Sequence, residues 1–199
     1  MKQFRIIIFV LLALWLFIPV QNTLASPVQD QLKTTIDGVI GILRDQSFQG
    51  DAKREERKES LRRIIHERFS YAKMSQLSLA RHWKKRSDEE KKVFIEMFGQ
   101  LLEETYVSKI DDYTDEEVVY VKEFVRGKKA QVYTKIITDT VEIPIDYRMY
   151  KTKKGKWMVY DLVIEGVSLV GNYRSQFDQI LRKESYEKLV EHLKEKLNN

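Results

Sequence analysis

The chain has 199 residues, 35 basic and 30 acidic for a net charge of +5, and no cysteine. The missing thiols exclude a disulfide framework, a thiolate metal site and a cysteine-linked lipoprotein anchor, so stability must come from core packing. So small a surplus of charge argues against nucleic acid as a partner and gives modest support to anionic membrane surfaces or acidic patches.

Lys2 and Arg5 precede an unbroken apolar run over residues 6–20, followed by Thr23-Leu24-Ala25. That order reads as a secretory signal peptide spanning residues 1–25 and cut after Ala25. Its apolar run is shorter than the ~20 residues a spanning helix needs. The expected product is one exported domain over residues 26–199, long enough to bury a core without staples. Its charge falls to +3, because the two cations leave and no acid precedes Asp30.

The first half of that domain has helical periodicity. Val28, Leu32, Ile36, Val39, Ile40 and Leu43 recur at three and four and predict an amphipathic helix over about 27–43. A loop is expected at 46–51. A charged helix from about Asp51 should bury Leu61, Ile64, Ile65 and Phe69, with Tyr71, Met74, Leu77 and Trp83 on a further helix or turn. Ser87-Asp88-Glu89-Glu90 has the pattern of a capping box opening a long helix. Its apolar stripe, which includes Phe94, Phe98, Leu101 and Tyr106, is wide for one helix.

Beyond Asp115 the period becomes two. Strands are predicted near 117–126, 129–138, 141–151 and 156–165, with turns at Gly127-Lys128, Thr138-Asp139-Thr140 and Lys154-Gly155. Four consecutive strands imply an antiparallel meander. Pro144 cannot donate a ladder hydrogen bond, so an exposed edge or a bulge is expected there. Strict alternation in the fourth strand would place Trp157, Val159, Asp161 and Val163 on one face. A single final helix is predicted over about 173–197.

The segment over residues 157–177 packs apolar, aromatic and single polar residues more densely than a strand-to-helix passage needs, which suggests a pocket wall. Its Trp157-x-x-Tyr160-Asp161, Glu165-Gly-Val-Ser168 and Asn172-Tyr-Arg-Ser-Gln-Phe177 resemble the C-terminal signature of the MlaC family, periplasmic phospholipid-binding proteins also called toluene-tolerance auxiliary proteins. Phe69-Ser-Tyr-Ala-Lys-Met74, Leu79-Ala-Arg-His-Trp83 and Phe94-Ile-Glu-Met-Phe98 resemble its helical half, and Val141-Glu-Ile-Pro-Ile-Asp-Tyr147 its third strand. The likeness runs over about 28–197. Ala80-Arg81 departs from it, standing where a small residue and a glycine are expected.

The resemblance implies an α+β fold: a curved antiparallel sheet of about four strands packed against several helices, an NTF2-like cone with an apolar cavity for acyl chains. It implies a periplasmic carrier shuttling phospholipid between an inner-membrane ABC transporter complex and an outer-membrane lipoprotein complex, with transient contact at membrane surfaces and no cofactor beyond the phospholipid cargo. The residues expected at the lipid are Phe94, Phe98, Leu101 and Tyr106 from the long helix, then Val132, Ile143, Ile145 and Tyr147 from the sheet. Val159, Val167 and Leu169 join them from the signature segment. Tyr173 and Arg174 are expected to meet a phosphate or glycerol ester near a helix N-terminus.

Two other readings compete. A cone of this type also hosts pocket enzymes, with Asp161 as the base. Against it, His66, His82 and His192 form no metal-site or triad spacing, and no phosphate loop or nucleophile elbow occurs. The other is a docking module using Arg81-His82-Trp83-Lys84-Lys85-Arg86 as its contact patch.

Overall fold

A computed structural model describes residues 27–111 and 117–198; the expected export signal, 1–25, lies outside the described residues. Helix α1 (Pro27–Arg44) opens on a proline, whose missing N–H costs nothing in a first turn, and buries Val28, Leu32, Thr35 and Leu43. Two 3-10 turns, Gln46–Phe48 and Asp51–Lys53, fill the predicted loop. The second delays the charged helix α2 (Arg54–Arg68), which buries Leu61 and Ile65 while Ile64 stays half-exposed.

Ser70 caps α3 (Tyr71–Leu79) by accepting from the Lys73 amide. That helix stops at Ala80, whose φ of 46° lies in the left-handed region, and a 3-10 segment follows (Ala80–Lys85). The capping box forms as read. The Glu90 amide donates to Ser87 Oγ at 3.1 Å and the Ser87 amide to Glu90 Oε2 at 2.6 Å, starting α4 (Asp88–Asp111).

Strands β1 (Glu117–Arg126), β2 (Lys129–Ile137), β3 (Glu142–Lys151), β4 (Trp157–Ile164) and the two-residue β5 (Val167–Ser168) pair in chain order, all antiparallel. Pro144 sits opposite Lys135 with no bulge there. Its carbonyl accepts from the Glu165 amide at 3.0 Å. The N and O of one residue point to the same side of a strand, so the missing donor faces the point where β4 has already turned away.

The strict alternation expected in β4 fails at Tyr160. Met149 pairs with Val159 and Arg148 with Asp161, which leaves Tyr160 as an extra residue. Paired residues share a face, so this bulge keeps Trp157 and Val159 on the concave face and brings Leu162 and Ile164 there. Asp161 turns to the opposite face beside Arg148. A second irregularity at Val121 in β1 adds to the curvature.

The predicted final helix is two, α5 (Leu169–Leu181) and α6 (Tyr186–Asn198). Ser185 separates them by capping the second, accepting from the Lys188 amide. Helices α3, α4, α5 and α6 bury one core among themselves, and α1 buries another against the sheet.

Candidate functional site

Arg68 fastens α1 to the sheet at one end. Its guanidinium donates to Thr35 Oγ1 at 3.1 Å, Gln31 Oε1 at 2.9 Å and the Trp157 carbonyl at 2.7 Å; the Trp157 amide donates back to Gln31 at 3.0 Å. There Val28, Leu32, Ala130, Val132, Met149 and Val159 pack solidly.

Toward its C-terminal end α1 stands off the sheet and the space is empty. A cavity of about 520 Å³ lies between Ile36, Val39 and Ile40 of α1 and Ile143, Ile145 and Tyr147 of β3, closed by Leu162 and Ile164 of β4 and by Ile65 and Phe69 of α2 and its C-cap. The volume falls within the ~300–1,000 Å³ of sites that bury a small molecule. Ile36, Val39 and Ile40 are only half-buried although they face the sheet. Apolar groups turned inward yet uncovered are the mark of a hollow.

The wall is hydrocarbon except for Thr35, Arg44, Glu165, Asn172 and the hydroxyls of Tyr106 and Tyr147. Burial pushes the Tyr147 hydroxyl up to about 12, and burial followed by Tyr173 raises that of Tyr106. Both rings are therefore neutral at physiological pH. Glu165 and Gly166 both have positive φ, 49° and 82°, in the two-residue turn joining β4 to β5. That turn carries Val167, 60% exposed, at the hollow end of the sheet.

Six of the thirteen residues expected at the lipid, Tyr106, Ile143, Ile145, Tyr147, Val167 and Leu169, lie on this wall. Val132 and Val159 share its face but sit in the filled end, fully buried. Phe94, Phe98 and Leu101 belong to the helical core instead. Phe94 stacks on Phe98 at 5.7 Å, and Phe98 meets Tyr173 edge-on at 5.0 Å and Phe177 at 5.4 Å. The α4 stripe from Phe94 to Leu101 is consumed by the neighbouring helices, and only Tyr106 at its far end reaches the cavity.

Tyr173 is buried in that aromatic cluster and Arg174 is exposed on α5, so neither meets the cavity. The helix N-terminus assigned to them is already satisfied. The Val170 amide donates to Asp161 Oδ1 at 2.9 Å and the Gly171 amide to Ser168 Oγ at 2.9 Å. Asp161 also accepts from Ser168 Oγ at 2.7 Å and Arg148 Nη1 at 2.9 Å, which makes it the join between sheet and helix and not a base facing the cavity.

The histidines lie apart, each against its own carboxylate: His66 on Glu103 at 2.7 Å, His82 on Asp178 at 2.9 Å and His192 on Glu184 at 3.7 Å. The basic segment 81–86 is partly spent internally. Arg81 joins His82 on Asp178, and Arg86 pairs with Glu90 at 3.0 Å and covers the Tyr186 ring. The His82 hydrogen bond, followed by the charges of Arg182 and Arg81, holds the Asp178 carboxyl below the usual carboxylate range.

Sequence reasoning missed the contribution of α1 and Arg68. The α1 stripe was visible, but periodicity cannot say whether a stripe meets side chains or empty space. A family model for MlaC protein matches residues 33–195. The chain belongs to the MlaC family. It is 25% identical over 117 residues to the intermembrane phospholipid transport system binding protein MlaC of Haemophilus influenzae, an alignment covering 56% of this chain and 55% of that one. The chain thus spans about half the length of the curated relative it matches. A phospholipid-binding protein from Ralstonia solanacearum, solved in complex with a phospholipid, superposes with a TM-score of 0.76 at 22% identity, over 87% of this chain and 98% of that one. The α+β architecture with its curved sheet is the fold of that protein.

Proposed function

We propose that the chain is a phospholipid-binding transport protein of the periplasm, holding acyl chains in the hollow between α1 and the sheet. One observation carries the reading: an inward-facing wall of Ile36, Val39, Ile40, Ile143, Ile145 and Leu162 left uncovered around about 520 Å³. Water is a poor tenant for such a wall, because it finds almost no polar partners there. A hydrocarbon chain gains about 0.8 kcal/mol for each methylene it removes from water. Arg44, Glu165 and Asn172, at the hollow end, are placed to meet a headgroup while the tails lie inward.

A bilayer offers tails almost the same environment, so release requires only a small bias from a partner. The finer reading follows the family: export by the segment 1–25, then exchange of phospholipid between an inner-membrane ABC transporter complex and an outer-membrane lipoprotein complex. No cofactor and no catalysis are assigned, and Asp161 is given a structural role. The histidine pairs and the cavity wall supply no nucleophile with an adjacent base.

Organic extraction of the purified mature protein followed by mass spectrometry tests the proposal. Roughly stoichiometric phospholipid is the expected result. Protein that copurifies with none, and takes up none from vesicles, would overturn it.

A further inference from the structure

The two hairpins at the filled end of the sheet carry charge of one sign. The β1–β2 turn presents Arg126, Lys128 and Lys129, and the β3–β4 turn presents Lys151, Lys153, Lys154 and Lys156. No acidic residue stands in either stretch, 124–133 or 147–160. All seven cations are exposed, and none forms an ion pair among the described residues.

Elsewhere several of the surface lysines are paired. Lys33, Lys53, Lys135 and Lys188 each hold a carboxylate within 2.8 Å. The tips also form one surface. Lys129 pairs with Tyr150 in the ladder, and the Lys151 amide donates to the Lys128 carbonyl at 2.9 Å. With these seven set aside, residues 27–199 hold 26 basic against 30 acidic groups. The positive excess over residues 27–199 is thus carried by the hairpin tips.

Apolar groups accompany the charge. Phe124 is 63% exposed and Val125 45%. Phe124 pairs with Gln131 and Val125 with Ala130, so they stand on opposite faces of the ribbon. We propose that the paired tips of the β1–β2 and β3–β4 hairpins form a lysine platform that docks on the surface of an anionic phospholipid bilayer.

Three features favour a membrane over an acidic protein. Six of the seven cations are lysines, hydrated point charges suited to a diffuse anionic plane; a specific carboxylate is better met by the arginine fork. Apolar side chains on both faces of a narrow ribbon fit entry into a fluid interface, where a protein groove would cover one face. A cluster of four to eight cations beside exposed apolar groups is the composition that recognises anionic headgroups.

The platform lies at the opposite end of the strands from the cavity. β3 runs from Lys151 at the tips to Ile143 at the hollow, eight residues or about 26 Å away. Docking by the tips therefore leaves the hollow end facing away from the bilayer, open to a partner. Membrane docking of this kind goes beyond lipid carriage and does not rest on what fills the cavity.

Cosedimentation with vesicles tests it, using phosphatidylcholine with and without phosphatidylglycerol. Wild type is expected to bind the anionic vesicles, to lose them as salt is raised, and to ignore pure phosphatidylcholine. Each neutralised lysine should weaken binding roughly fivefold, so Lys153→Gln with Lys154→Gln should cost about 25-fold. Phe124→Ser should weaken binding further without changing its salt dependence. These positions are exposed turn and strand residues, and circular dichroism would confirm an unchanged fold. Loading of the cavity, read by mass spectrometry, should be the same in the variants, which separates this test from that of the carrier reading. Equal binding by wild type and the double variant, equal binding to both kinds of vesicle, or binding to neither would overturn the proposal, the last pointing to an acidic protein partner.

Discussion

Arg148 and Asp161 face each other across β3 and β4, with the guanidinium Nη1 2.9 Å from Asp161 Oδ2. The carboxylate is buried and accepts on both oxygens, from Arg148, from Ser168 Oγ and from the Val170 amide. It is the point where sheet, β5 and α5 are tied together.

Asp161→Ala should therefore lower stability by about 2–4 kcal/mol, since it strands a buried amide and frees the start of α5. Asp161→Asn should rescue little, because one of its two positions becomes a donor pointed at donors. Thermal unfolding of both variants checks this. A pocket base would behave otherwise, losing activity in Asp161→Asn with stability unchanged.

Ile145 and Val132 test the boundary between the hollow and filled ends of one sheet face. Ile145 lines the cavity, whereas Val132 is wholly buried beneath α1. Val132→Phe should cost about 1–3 kcal/mol by overpacking, as in any close-packed core. Ile145→Phe adds its ring to empty space and should change stability by less than ~1 kcal/mol. On the proposed function it should also reduce the phospholipid that copurifies, read by mass spectrometry.

Most of the secondary structure was legible because each element carries its own local signal. Pro27 and Ser87-x-x-Glu90 marked helix starts, and Gly127-Lys128 and Lys154-Gly155 marked turns. The cap at Ser185 was not read, and 173–197 was predicted as one helix. The bulge at Tyr160 has no local signature, because both registers of β4 place apolar residues on both faces. Only pairing with Arg148 and Met149 reveals it. The cavity was half legible for a related reason. Leu169 and Phe98 look equally apolar in sequence, and what decides between hollow and core is whether a second element approaches.

Tyr147 provides a pH-dependent test of the wall. Burial pushes its hydroxyl up to about 12, against ~10 in an unfolded chain. The folded state thus holds a proton that the unfolded state gives up first. The associated stability is fully present below about pH 10 and is lost as pH rises from there through about 12. Tyr147→Phe should make the alkaline decline shallower without abolishing it, since burial also raises Tyr71 and Tyr120. Chemical denaturation at a series of alkaline pH values checks the slope.

Ala80 occupies backbone that alanine tolerates poorly, with φ 46° and ψ −117° at the end of α3. A side chain there crowds its own backbone, and such conformations cost of order 1–3 kcal/mol in a residue other than glycine. Glycine removes that strain but gains freedom in the unfolded chain, an offset of about 0.4–1 kcal/mol. The strain outweighs this offset, so Ala80→Gly should stabilise the fold by about 1 kcal/mol and raise Tm by roughly 2–4 °C. Ala80→Val should do the reverse, its branched Cβ worsening the same contact. Ala80 is exposed and absent from the cavity wall, so neither variant should change the ratio of phospholipid to folded protein. A lower melting point for Ala80→Gly than for wild type would show that the turn is held by its side chain and not strained by it.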